Sequence, residues 1–142
     1  MTAVIYARYS SSSQREASIE EQVKICEQFA KRHDYMVTHV YKDSAITGKT
    51  DKRPEFQRLL KDCAKKSFDA VIFYSIDRFG RNLLQSLGNA SKIEEYDICL
   101  LSATEEFTNT PSGRFYRNMM MCNAQYYSDE LAQKIKRGMD FN

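Results

Sequence analysis

Three polar segments of the chain hold residues of the kind that handle phosphate. Arg8 and Ser10 follow a short run of strand-forming residues, Ala3-Val4-Ile5-Tyr6-Ala7. Ser75, Asp77, Arg78 and Arg81 follow a second such run, Ala70 to Tyr74, and Lys49, Lys52 and Arg53 sit in a polar stretch after a third, Met36 to Tyr41. Brought to one edge, these segments would surround a serine hydroxyl with up to four arginines and one carboxylate. Arginine meets phosphate with a planar, two-pronged fork, and phosphoryl transfer depends chiefly on positioning and on neutralising charge at the phosphate oxygens. A serine that attacks a phosphodiester becomes a covalent phosphoserine. That intermediate stores the cleaved bond and suits strand exchange, because the freed hydroxyl can reverse the attack. Other serine chemistries lack their parts. Neither His33 nor His39 is placed to act as a base for Ser10, there is no Gly-x-Ser-x-Gly elbow, and no carboxylate cluster could hold magnesium. The reading therefore calls for no metal and no cofactor.

These residues are useful only if the fold gathers them. In open parallel sheets, ligands bind beyond the carboxyl ends of the strands. The first strand is expected to end near Arg8, and because strand side chains alternate, Tyr6, Arg8 and Ser10 share one side. The spacing Ser18-x-x-Glu21 is a capping-box signature, and Ile19, Val23, Cys26 and Ala30 continue an apolar side, which predicts a helix over 18–33. Residues 36–41 read as the second strand and 43–53 as a mobile loop. Pro54 suits a first helical turn, with Phe56, Leu59, Leu60 and Cys63 as the apolar side of the next helix. Ala70 to Tyr74 is nearly continuous in apolar character, as expected of a central strand covered on both faces. Leu83, Leu84, Leu87, Ala90 and Ile93 mark a third helix, 98–101 a fourth strand, and 111–139 a final segment in which about 26 residues of helix span roughly 39 Å. The alternation of strand and helix specifies an α/β fold with a mainly parallel central sheet of four to five strands flanked by helices.

Composition agrees with a single globular domain. The 142 residues are 42% hydrophobic and 28% charged, and 21 Lys plus Arg against 19 Asp plus Glu leave a net charge of +2. A chain of this length can bury roughly 68–70% of its unfolded surface without disulfides or a structural metal. The four cysteines, Cys26, Cys63, Cys99 and Cys122, form no Cys-x-x-Cys pair and are expected to be reduced core residues. No run approaches the roughly 20 apolar residues of a membrane span, so a cytoplasmic protein with no membrane partner is expected. The near-neutral total leaves any nucleic-acid binding to local clusters.

Four motifs in order, Tyr6-Ala7-Arg8-Tyr9-Ser10, Ser18-x-x-x-Gln22, Arg53-Pro54-x-x-x-x-Leu59 and Asp77-Arg78-Phe79-Gly80-Arg81, resemble the catalytic domain of the serine recombinases, the resolvase and invertase family. The resemblance runs from Tyr6 to about Gly138. It implies site-specific DNA recombination in which Ser10 is the nucleophile, joining the DNA 5′ phosphate and releasing a 3′ hydroxyl. Arg8, Arg53, Arg78 and Arg81 would bind the scissile phosphate, Asp77 would orient arginines or assist proton transfer, and Tyr6 and Gln22 would support the site. Small members of the family carry a Glu-Arg pair after an Ala-Gln in the last helix. Here Ala124-Gln125 is followed by Tyr126-Tyr127-Ser128-Asp129-Glu130, so the role of that pair is not carried over, and the chain looks more like the large transposon or phage type. Such proteins continue into DNA-binding domains, and residues 1–142 are expected to be an isolated catalytic domain.

The last helix carries two apolar stripes, Phe115, Met119, Cys122, Tyr126 and Met120, Tyr127, Leu131, Ile135. That exceeds what one packed face needs, so a partner helix is expected. The resemblance implies that this helix joins a homodimer, that two dimers form a tetramer during strand exchange, and that double-stranded DNA is the partner. The competing reading is a non-catalytic phosphate- or DNA-binding α/β module, either a flavodoxin-like signalling domain or a DNA-organising protein whose arginines only hold phosphate.

Overall fold

The computed structural model describes residues 1–8, 18–43, 53–76, 83–105, 107–108 and 110–140, apart from the side chains at 83–85, 124, 127–128 and 138–140. Its elements alternate along the chain: β1 (Thr2–Arg8), α1 (Ile19–Arg32), β2 (Met36–Asp43), α2 (Pro54–Cys63), β3 (Ala70–Phe73), α3 (Leu83–Glu94), β4 (Cys99–Ser102) and α4 (Pro111–Asp140). The four described strands are all parallel, in the order β2-β1-β3-β4. Strands β1 and β3 share the centre, which is why Ala3 to Ala7 and Ala70 to Phe73 are buried throughout. Edge strand β2 instead alternates and exposes His39 and Lys42.

The strand order dictates where the helices lie. From β1 the chain steps outward to β2, then back past β1 to β3, and right-handed crossovers in opposite directions fall on opposite faces of the sheet. Accordingly, Cys26, Phe29 and Ala30 of α1 pack with Ala3, Ile5, Ala70 and Ile72. On the other face Phe56, Leu59 and Cys63 of α2, Ala90 and Ile93 of α3 and Met121 of α4 pack with Val4, Tyr6, Val71 and Phe73. Helix α1 starts where the capping pattern placed it, with the Ser18 hydroxyl accepting the Glu21 amide at 3.2 Å. Strand β2 runs two residues longer than its apolar pattern suggests. Asp43 is thereby a buried strand terminus and not the start of a loop.

Helix α4, at 30 residues about 45 Å long, touches the domain only at its beginning. Gly113, Arg117 and Met121, spaced four apart, are its buried positions, and the described side chains from Cys122 onward are exposed or half-buried. Arg117 donates to Glu94 Oε1 at 2.9 Å and ties α4 to α3. Phe115, Met119 and Tyr126 face away, together with Cys122, so this cysteine is not a core residue. Cys99 is half-buried, whereas Cys26 and Cys63 are fully buried as expected, and burial pushes their thiols up to about 12 and about 11.

The start of α4 depends on the smallest side chain. Thr110 Oγ1 accepts the Gly113 amide at 3.1 Å, and a Cβ at Gly113 would meet the Thr108 carbonyl oxygen at 1.9 Å. Alanine normally favours a helix interior over glycine by about 1 kcal/mol. Here the clash with backbone reverses that order, and Gly113→Ala is expected to destabilise the domain by about 1–3 kcal/mol in urea unfolding.

Candidate active site

The exits of β1 and β3 lie side by side where the chain reverses its direction across the sheet, the place where open α/β sheets bind ligands. Arg8 is the last residue of β1, and the side chain that fixes it comes from α1. Gln22 is fully buried, donates from Nε2 to the Arg8 carbonyl at 3.0 Å, and accepts the Arg8 amide on Oε1 at 3.3 Å. One carboxamide thus satisfies both main-chain groups of Arg8 where the sheet ladder is ending, as buried backbone requires. Gln22 holds the strand end that leads, two residues later, to Ser10.

Across the sheet from α1, Tyr6, Asp43 and Arg53 form a buried polar chain. Asp43 is the register partner of Arg8 on the neighbouring strand. Its carboxylate accepts the amides of Glu55 on Oδ1 and of Phe56 on Oδ2, each at 3.0 Å. These are orphan donors of the first turn of α2, where Pro54 has no N–H to offer and Arg53, in the N-cap position, supplies no side-chain cap. The positive end of the helix dipole also favours the carboxylate there. Tyr6 donates its hydroxyl to Asp43 Oδ2 at 2.9 Å and accepts from Arg53 Nε at 3.1 Å. The Arg53 guanidinium lies 4.2 Å from the Phe56 ring centroid and 5.3 Å from that of Tyr6, while the two rings meet edge to face at 5.0 Å. Stacking of a desolvated guanidinium on an aromatic face contributes up to about 2 kcal/mol.

Arg53 is only 6% exposed, although the polar stretch 43–53 that it ends reads from the sequence as a loop. Its backbone is left-handed, at φ 39° and ψ 61°, a conformation costing of order 1–3 kcal/mol for a residue with a Cβ. Hydrogen bonding and stacking on Tyr6 and Phe56 hold it there. The Tyr6 phenol is raised well above its ordinary range, first by burial and further by Asp43, with Arg53 opposing. It therefore stays protonated near neutral pH and serves as a relay of hydrogen bonds between carboxylate and guanidinium.

Of the residues predicted from sequence, the fold brings Tyr6, Arg8, Gln22 and Arg53 to one edge of the sheet. Ser10, Asp77, Arg78 and Arg81 lie outside the described residues, as do Lys49 and Lys52. Sequence reasoning missed Asp43. Its partners are 12 and 13 residues ahead in the chain, beyond the reach of any local capping pattern, and the only available signal was an acidic residue at the carboxyl end of a strand. Among the described residues no group of three or more His, Cys, Asp or Glu side chains could hold a metal ion. No helix among them is long and apolar enough to cross a membrane.

The family described as Resolvase, N terminal domain, matches residues 3–141. A protein of Bacillus subtilis (strain 168) assigned as a DNA recombinase is 28% identical over 145 residues, which is 95% of this chain and 28% of the relative. A DNA-invertase of Enterobacteria phage P7 is 24% identical over 102 residues, covering 71% of this chain and 53% of the invertase. The chain spans about a quarter to a half of the length of these curated relatives. Among solved structures, the N-terminal catalytic domain of TP901-1 integrase matches with a TM-score of 0.72 and 27% identity, over 93% of this chain and 99% of that one.

The polar chain at the β1–α2 junction makes a measurable contribution. Tyr6→Phe leaves Asp43 and Arg53 each one partner short in a buried place and is expected to cost about 1–3 kcal/mol in urea unfolding at pH 7. Because the folded-state pKa of Tyr6 is raised, the unfolded chain ionises first as pH climbs past about 10. Stability is thus intact below that pH and lost above it, and the loss above pH 10 is expected to be smaller in Tyr6→Phe than in the wild type.

Proposed function

The chain belongs to the serine recombinase family through its resolvase N-terminal domain, and from that premise we propose that it catalyses site-specific recombination of double-stranded DNA. Residues 1–142 form the catalytic domain in this reading, with 111–139 as an interface helix. The Ser10 hydroxyl attacks the scissile phosphorus and forms the Ser10 Oγ–P bond as the bond from phosphorus to the 3′ oxygen breaks. The serine proton leaves to a base, the departing 3′ oxygen takes up a proton, and the 5′ phosphate stays on Ser10. Rejoining is the reverse, with the 3′ hydroxyl of an exchanged strand as attacker. Arg8, Arg53, Arg78 and Arg81 neutralise the non-bridging oxygens, Asp77 orients the arginines, and no metal takes part.

The observation that carries this reading is the buried Arg53, held by Tyr6, Asp43 and Phe56 at the same sheet edge as Arg8. A fixed guanidinium in a dry setting costs no reorganisation when charge develops on a phosphate oxygen. A surface ion-pair cluster would have no use for a desolvated arginine in a strained backbone. The non-catalytic module is not favoured, because it accounts for phosphate binding and leaves the serine two residues beyond Arg8 without a role.

The exposed apolar side chains of α4 support a partner helix. Phe115, Met119 and Tyr126 are 66%, 47% and 58% exposed on one side. Leu131 and Ile135, 61% and 57% exposed, lie about four and five helical turns beyond Arg117 on the side that faced the domain at the start of the helix. Each such side chain forgoes about 1.5–3 kcal/mol of burial while exposed. A homodimer formed through α4, and a tetramer of two dimers during strand exchange, would cover this surface and use one patch for both partners.

Incubation with sheared DNA of the source genome, denaturation and nuclease digestion is expected to leave a nucleotide on the Ser10 peptide, detected by mass spectrometry. The adduct should survive excess chelator and vanish in Ser10→Ala, with Ser11→Ala, Ser12→Ala and Ser13→Ala retaining it. An adduct on another serine, or a strict need for magnesium, contradicts the assignment. In sedimentation, Met119→Glu and Leu131→Glu are expected to shift the protein toward monomer without lowering its unfolding midpoint. Met120→Glu is a poorer choice because Met120 packs against the core, and the side chain of Tyr127 lies outside the described residues.

A further inference from the structure

Beyond Phe73 the β3–β4 ladder ends, and the chain continues through Tyr74 and Ser75 to Ile76. The turn leaving β4 holds it. The Ala103 amide donates to the Phe73 carbonyl at 2.8 Å, and Thr104 donates to the Tyr74 carbonyl from its amide at 3.2 Å and from Oγ1 at 2.8 Å. Glu105 then reaches one step further. Its Oε1 accepts the Ile76 amide at 2.8 Å and the Ser102 hydroxyl at 2.9 Å, and its own amide donates to Ser102 Oγ at 3.2 Å. Ser102 is buried at 2% exposure and Ile76 at 4%, with the Ile76 side chain in the core cluster. Ile76 is therefore held by its side chain from below and by a carboxylate through its main chain.

We propose that Glu105 is a positioning residue for the phosphate-binding segment Asp77–Arg81, acting through the main chain at Ile76. The inference rests on the reading of Asp77, Arg78 and Arg81 given above. Ser102, bonded to the same oxygen that accepts the Ile76 amide, sets the direction of the Glu105 side chain. Phosphoryl transfer is sensitive to such anchoring, because small misplacements of the groups that hold a phosphate cost large factors in rate. The role needs an acceptor at Oε1 and not a negative charge. Glutamine supplies that acceptor at the same reach, alanine supplies none, and aspartate falls one methylene short.

The test measures the rate of the Ser10 adduct on the same sheared DNA, alongside hydrogen exchange at the Ile76 amide. In Glu105→Ala the adduct is expected to form at least about tenfold more slowly and the Ile76 amide to exchange at least about tenfold faster, with exchange at Ile72 unchanged. Glu105→Gln is expected to stay within about threefold of wild type in both. Glu105→Asp, expected to resemble the alanine variant, decides the matter if circular dichroism shows Glu105→Ala unfolded. A wild-type adduct rate in a folded Glu105→Ala overturns the proposal. So does equal loss in Glu105→Gln and Glu105→Ala, which would point to the charge. Absence of any adduct in the wild-type protein refutes the reading of Ser10 and takes the positioning role with it, an outcome visible without any variant.

Discussion

The pairing of β1 with β3 is the constraint on which the rest of this domain depends. Ala3 to Tyr6 stand opposite Ala70 to Phe73 residue for residue, in parallel. A parallel pair cannot be joined by a tight turn, so each connection must cross over a face, and the connections on the two sides of β1 take opposite faces. Two consequences are inseparable. The sheet is sealed by α1 on one face and by α2, α3 and the start of α4 on the other, and the carboxyl ends of its central strands open between them. A register slip of one residue would turn Tyr6 toward α1 and Ile5 toward α2, undoing both cores and the polar chain together.

The polar chain shows how a cation can be kept inside such a fold. An isolated buried charge costs several kcal/mol, and a pair breaks even only when further hydrogen bonds satisfy its remaining groups. Asp43 meets this condition through the α2 amides and Tyr6, and Arg53 through Tyr6 and two aromatic faces. The capping of α2 and the placement of the arginine are one structure. Asp43 satisfies two first-turn amides of α2, and those amides with the Tyr6 hydroxyl satisfy its buried carboxylate. Arg53 thus arrives at the site through tertiary packing, with its strained backbone held by the same contacts.

This explains which parts of the molecule were legible in the chain. Strands and helices followed from local periodicity, since Ala70 to Phe73 is apolar without break and Ser18 announces α1 by its spacing to Glu21. Arg8 and Gln22 were singled out by motif, and the structure adds that Gln22 bonds both main-chain groups of Arg8. Asp43, Phe56 and Glu105 were illegible for a common reason. Asp43 and Glu105 act on main-chain amides 12 to 29 residues away and Phe56 on the ring of Tyr6 across 50, and neither kind of contact leaves a spacing in the sequence. Arg117 was hidden differently. A charge two residues before the run Met119, Met120 and Met121 marks the buried side of α4, and the stripe Phe115, Met119, Tyr126 marks the exposed one, the reverse of the usual amphipathic rule.

That reversal separates two properties within one helix. Gly113, Arg117 and Met121 lie on a single stripe and act on the domain: the first by close approach to Thr108, the second by its ion pair with Glu94, the third by joining the core. The side chains of Phe115, Met119 and Tyr126 point elsewhere and add little to the stability of one copy. The stability of the domain therefore draws on one stripe of α4, so its outward surface can be apolar without the domain depending on it. A helix that is anchored over its first three turns and continues as a single rod also carries any reorientation of Arg117 to its far end. The ion pair between Arg117 and Glu94, 3% exposed on the arginine side, fixes the start of this rod on the domain together with Gly113 against Thr108 and Met121 in the core.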